Sequence, residues 1–132
     1  MSAQTLHIAI IGIGWYAGTN LIPNLRKTGR VEIVAITRRS ADRLALAQQE
    51  LNIPESYTDW REMLEKSALD AVVVCTPPNA HAEPTLAALE RGLHVFVEKP
   101  MALASADAQC MVASANLTTP SPPYPARSRC CR

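Results

Sequence analysis

The run Leu6-His7-Ile8-Ala9-Ile10-Ile11 stops at Gly12-Ile13-Gly14-Trp15-Tyr16-Ala17, and this junction constrains the fold more than any other stretch. A short, continuous, branched apolar run that ends in glycine is the pattern of a strand buried on both faces of a parallel sheet. Beyond the glycines, Ala17, Leu21, Ile22 and Leu25 share one helical face between Tyr16 and about Lys27, and Gly29 supplies the stop. Pro23 stands inside that helix, where it is expected to remove one backbone donor and kink the axis.

Each small residue of the turn has a mechanical reason. Gly12 permits the tight turn, Gly14 lets a pyrophosphate approach the backbone, and Ala17 lets the helix sit close to the strand. Free amides and partial positive charge at the helix start favour phosphate, so Ile13, Trp15 and Tyr16 complete a candidate phosphate-binding turn. A G-x-G-x-x-A string alone also fits a merely tight turn. Its strand-to-helix setting makes dinucleotide binding the preferred reading.

The alternation continues along the chain. Val31–Ile36 repeats the strand composition, Ser40–Glu50 returns to helical spacing, and Ser56-Tyr57-Thr58 suggests a small third strand. A helix from Asp59 to about Lys66 is capped by Asp59, with Trp60, Met63 and Leu64 as core contacts. Asp70–Cys75 is the clearest strand, and Thr76-Pro77-Pro78-Asn79 ends it. His81–Arg91 reads as a helix, Gly92 as its end, His94–Val97 as a fifth strand, and Ser105–Ala115 as a last helix. Such alternation predicts an α/β fold, a doubly wound, Rossmann-type, mostly parallel sheet, incomplete at its C-terminal end.

A chain of 132 residues holds one compact domain and leaves no room for a second of ordinary size. Residues 1–115 are assigned to the dinucleotide-binding domain. From Asn116 to Arg132 periodicity of either kind stops, and proline, serine and arginine take over; this stretch reads as a disordered tail foreign to the fold.

Composition narrows the partners. With 48% apolar and 19% charged residues the chain is of the ordinary soluble class. Thirteen basic against 12 acidic residues give no surplus to concentrate it on nucleic acid or an anionic membrane. No basic region precedes a long apolar run at the amino terminus, so a cytoplasmic setting is expected. The four cysteines, at 75, 110, 130 and 131, have no C-x-x-C spacing; they specify neither a metal site nor a disulfide framework, and free thiols are expected.

Further candidate residues sit where strands end. About 20 positions past the glycines a carboxylate would bind a free ribose 2′-hydroxyl. The chain instead carries Thr37-Arg38-Arg39-Ser40, in which two arginines and a hydroxyl suit a 2′-phosphate, so NADP is preferred over NAD. The plain alternative is that Arg38 and Arg39 are solvated charges in a surface turn. Thr76, Pro77, Pro78, Asn79 and His81 form a loop past a strand's carboxyl end, where open α/β sheets bind ligands. The same loop reads equally as a helix entry, with Asn79 as cap and His81 satisfying a backbone group or carboxylate; for His81 that reading is favoured on residue type alone. Glu98, Lys99 and Pro100 end the next strand on the same edge. A single lysine at such a place is often only a surface charge, but three loops converging on one edge favour a site over coincidence.

With these motifs the chain resembles the glucose–fructose oxidoreductase and inositol dehydrogenase family, known as Gfo/Idh/MocA. The resemblance covers residues from about 6 to 115. It rests on Gly12-Ile13-Gly14 with Ala17, on Asp70 through Pro78 and His81, and on Gly92-Leu93-His94-Val95-Phe96-Val97-Glu98-Lys99-Pro100-Met101-Ala102. It implies hydride transfer between NAD or NADP and a carbon bearing a hydroxyl, on a sugar, cyclitol or related polyol. It also implies that Lys99 is catalytic, pointing toward nicotinamide and substrate, where a cation eases alkoxide character. Glu98 would orient that strand end and Pro100 would fix the turn.

The family carries a second domain that supplies most substrate contacts, a histidine and often an aspartate for proton transfer, and the oligomer interface; the sequence has no counterpart of it. A further strand expected after Ala115 is also missing. The chain is therefore read as a truncated member whose residues from Asn116 derive from a shifted reading frame or an ill-chosen gene end. Two functions stay open: a dehydrogenase domain with Lys99 as its catalytic group, and a non-catalytic dinucleotide-binding module or inactive remnant.

Overall fold

A computed structural model describes residues 4–118. The strands are β1 (Leu6–Ile11), β2 (Val31–Thr37), β3 (Glu55–Tyr57), β4 (Ala71–Val74) and β5 (His94–Val97). All neighbours pair in parallel, in the order β3-β2-β1-β4-β5. The chain winds outward from β1 to β3 and then returns to β4 on the other side of β1. The switch point therefore lies between the carboxyl ends of β1 and β4, where doubly wound sheets open a crevice. This is the fold expected from the alternating pattern.

Side-chain alternation gives the sheet two buried faces. Ile8 and Ile10 turn to one, with Ile33, Ile36, Leu44 and Ile53; Ala9 and Ile11 turn to the other, with Met63, Leu64, Val72, Val74 and Ala88. Ile33 and Ile36 share a face although three positions apart, because the β1–β2 register slips between Ile8 and Ala9 and leaves Val34 as the extra residue.

The helices are α1 (Ile22–Lys27), α2 (Ala41–Leu51), α3 (Trp60–Lys66), α4 (Ala82–Glu90) and α5 (Ser105–Thr118). Asp59 caps α3 as expected, its carboxylate accepting from the Arg61 amide at 2.8 Å. Gly92, at φ 76°, follows α4 in the left-handed conformation that ends a helix.

Two expectations need correction. The helix after the glycine turn is not one regular helix: Ala17–Leu21 is π-helical, the Ile22 amide donates to the Ala17 carbonyl, and α1 starts there. Pro23 stands inside a helical run that is continuous from Trp15 to Lys27, directly after the π-helical turn that accommodates its missing amide. The last helix also outruns its expected end at Ala115, taking in Asn116, Leu117 and Thr118, which hold neither glycine nor proline to break it. The rest of the stretch read as a tail, residues 119–132, lies outside the described residues. Among the described residues no helix is long and apolar enough to cross a membrane.

Candidate dinucleotide site

The turn after β1 is held from two sides. On one, the Gly12 amide donates to the Thr37 hydroxyl at 3.1 Å and the Ile13 amide to the Thr37 carbonyl at 2.8 Å, both at the end of β2. On the other, the loop after β4 presses so close that a Cβ on Gly12 would lie 2.8 Å from the Thr76 nitrogen and 2.9 Å from its Cγ2. Gly12 also has φ 88°, which side-chain-bearing residues avoid. It is required twice, by conformation and by contact.

Gly14 differs. A Cβ there would meet nothing within 4 Å, so open space stands over the backbone at the place where a phosphate would approach. Helical structure starts at Trp15, whose first-turn amides have no intrahelical acceptor. These features fit a dinucleotide pyrophosphate. Ala17 is buried in the same core cluster as Ile8 and Ile10, so the helix start packs into the core on that face of the sheet. Trp15 and Tyr16 are exposed, Trp15 by 78%.

Past β2, Arg38 lies in a cleft lined also by Ile13, Gly14, Trp15, Thr19 and Arg43. Arg39 and Ser40 are exposed and do not line it; the Ser40 carbonyl accepts from the Leu44 amide as α2 begins. Arg43 was not singled out from the sequence. Its signal is helical spacing: Leu46, Ala47 and Glu50, at three, four and seven positions on, share its stripe of α2 and line the same cleft. Arg38 and Arg43 therefore line one cleft together with a single acidic residue, Glu50.

The loop after β4 is built by its prolines. Pro77 is extended, Pro78–Ala80 forms a 3₁₀ turn, and the Ala80 amide donates to the Pro77 carbonyl at 2.8 Å. Asn79 sits exposed within that turn and caps nothing, while the Thr76 hydroxyl donates to the Ala80 carbonyl at 3.0 Å. Cys75, between β4 and this loop, has its thiol pushed up to about 11 by burial and then by the Glu98 charge, so it is no ready nucleophile.

His81 is 1% exposed and is placed as a tie between loops. Its Nε2 lies 2.7 Å from the Thr76 carbonyl oxygen and its Nδ1 lies 2.8 Å from that of Pro100. With both nitrogens engaged on backbone, the ring has none left for a cofactor. The helix-entry reading, in which His81 satisfies backbone groups, matches this placement.

After β5 the Glu98 amide continues the ladder to the Val74 carbonyl at 2.9 Å. The Glu98 carboxylate turns back to accept from the Lys99 amide at 3.2 Å, the Lys99–Pro100 peptide bond is cis, and both of those residues are exposed. The Gly12 turn, Arg38, the Thr76 loop and Lys99 thus lie at the carboxyl ends of four parallel strands, along one edge of the sheet.

A profile of the Gfo/Idh/MocA oxidoreductase family, described by its NAD-binding Rossmann fold, matches residues 6–119. The chain belongs to this family. Within it, the chain is 36% identical over 107 residues to the 4-carboxy-2-hydroxymuconate-6-semialdehyde dehydrogenase of a Sphingobium species, covering 81% of this chain and 34% of that protein. It is 35% identical, also over 107 residues, to the myo-inositol 2-dehydrogenase of Thermotoga maritima, covering 81% and 32%. The crystal structure of a probable dehydrogenase from Thermotoga maritima superposes with a TM-score of 0.80 at 34% identity, over 86% of this chain and 34% of that one. The chain spans about a third of the length of these Gfo/Idh/MocA relatives.

Proposed function

We propose that this chain is the NADP-preferring dinucleotide-binding part of a dehydrogenase that oxidises a hydroxyl-bearing carbon of a sugar, cyclitol or related polyol. The observation that carries the reading is the convergence of Gly12–Ala17, Arg38 with Arg43, and Lys99 on the carboxyl edge of one sheet. The myo-inositol 2-dehydrogenase relative supports the substrate class.

When bound, the nicotinamide ring supplies the hydride acceptor or donor. The chain's own residues do the rest. The Ile13 amide is taken by the Thr37 carbonyl, so amides of the turn from Gly14 to Ala17 hold the pyrophosphate, with Gly14 leaving the backbone bare. Arg38 and Arg43 pair with a ribose 2′-phosphate, Arg39 and Ser40 lie at the margin of that site, and the region has no carboxylate between Thr37 and Ser40 to prefer a free hydroxyl. Thr76, Pro77, Pro78 and Asn79 form the wall on the other side of the crevice. Lys99 donates a hydrogen bond to the reacting oxygen and stabilises alkoxide character there, and Glu98 and Pro100 fix its backbone.

A second reading is a binding module without turnover, because this fold hosts binding without chemistry. Titration with NADPH followed by a screen of polyols for NADPH formation separates the two. Binding with turnover supports the enzyme reading, binding without turnover supports the module, and no binding overturns both.

A further inference from the structure

Among the described residues, His81 is a buried titratable side chain that the reading above does not use. Its two ring contacts, at 2.7 and 2.8 Å, both end on backbone carbonyl oxygens, which accept and never donate. A neutral imidazole has one N–H. Were His81 neutral, its other nitrogen would present a lone pair to a carbonyl oxygen at hydrogen-bond distance, two acceptors facing each other with almost no room for water, because the residue is 1% exposed. Flipping the ring does not help, since it exchanges each nitrogen for a carbon and forfeits both bonds.

We propose that His81 is a positioning residue whose ring is protonated on both nitrogens and, by donating to the Thr76 and Pro100 carbonyls at once, locks the loop after β4 to the loop that carries Lys99. Two charge-assisted bonds offset the burial of the cation. The start of α4 opposes the charge, but that effect is smaller than one hydrogen bond to a charged group. Thr76 is also the residue against which Gly12 packs, so the tie runs from the glycine turn through Thr76 and His81 to Pro100, the neighbour of Lys99. Its functional weight rests on the reading of Lys99 as the catalytic group; the tie itself does not.

The test uses the full chain, labelled with ¹⁵N, without cofactor. A long-range ¹H–¹⁵N spectrum at neutral pH is expected to show both His81 nitrogens at the protonated position, with exposed His7 and His94 as internal comparison. One unprotonated His81 nitrogen overturns the proposal. In His81→Gln, the backbone amides of Lys99 and Met101 are expected to move while those of Ile8 and Ile33 hold; unmoved Lys99 and Met101 amides in a folded variant also overturn it. Should His81→Gln not fold, the wild-type ring spectrum decides alone. Because neither arm needs a cofactor, failure of dinucleotide binding would count against the proposed function and leave this tie standing.

Discussion

The Thr37 hydroxyl accepts the Gly12 amide at 3.1 Å, so the last residue of β2 sets the shape of the turn that leaves β1. Thr37 is buried, and its carbonyl takes the next amide, that of Ile13. Thr37→Val keeps the shape of the side chain and removes the acceptor, leaving the Gly12 amide unpaired. The expected cost is about 1–3 kcal/mol of folding stability, read by urea denaturation. An unchanged midpoint would show that the amide finds another acceptor.

Gly12 and Gly14, identical in the motif, are expected to fail differently. Gly12→Ala adds a Cβ at 2.8 Å from the Thr76 nitrogen on a backbone at φ 88° and is expected to lose roughly 2–5 kcal/mol, from strain and overpacking together. Gly14→Ala meets open space and is expected to stay within about 1 kcal/mol of wild type. Its loss is expected in NADPH affinity. Thermal melts and calorimetric titration of both variants check the pair, and equal destabilisation by the two would refute the division of labour.

Much of this was legible from residue order alone. Leu6–Ile11 and His94–Val97 could be read to the residue, because each is a short, branched apolar run closed off by glycine or polar residues, although His94–Val97 is an edge strand with His94 and Phe96 exposed. Asp59 announced its helix because a cap is a local device. The π-helical turn at Ala17–Leu21 was not legible, since it arises from fitting a helix with Pro23 onto a sheet, a tertiary demand. Arg43 escaped for a similar reason. Its role depends on which stripe of α2 faces the glycine turn, whereas Arg38 follows directly from its place after β2. His81 showed its type but not its partners, which lie five and 19 positions away and meet only once β4 and β5 are paired.

Cofactor preference is expected to follow the arginines of the cleft. Arg38→Ala, and to a lesser degree Arg43→Ala, should weaken NADPH about tenfold or more, about 1.4 kcal/mol per tenfold, while leaving NADH within about twofold. Dissociation constants for both nucleotides on wild type and variants provide the check. Tighter NADH than NADPH binding by the wild-type chain would contradict the preference.

Cys75 is expected to resist alkylation. With its thiol at about 11 against an ordinary 9.0, the thiolate fraction at pH 8 falls about a hundredfold below that of a free thiol. The folded chain also holds this proton more tightly than the unfolded one. Stability contributed by the neutral thiol is therefore full below pH 9 and declines as pH rises from 9 toward 11. Peptide mapping after timed iodoacetamide treatment reads the first effect. In denaturation midpoints between pH 8 and 11, wild type minus Cys75→Ala reads the second, and labelling of Cys75 as fast as a free thiol would contradict both.

Residue-resolved ¹H–¹⁵N shifts of the 132-residue chain during titration with NADPH test the central claim most directly. The prediction is saturable movement concentrated at Gly12, Gly14, Trp15, Arg38, Thr76 and Lys99, along the carboxyl edge of the sheet, and its loss in Gly14→Asp, which puts a carboxylate in the path of the phosphates. A folded wild-type chain with no movement at millimolar NADPH, or with movement confined to the opposite edge, would contradict it.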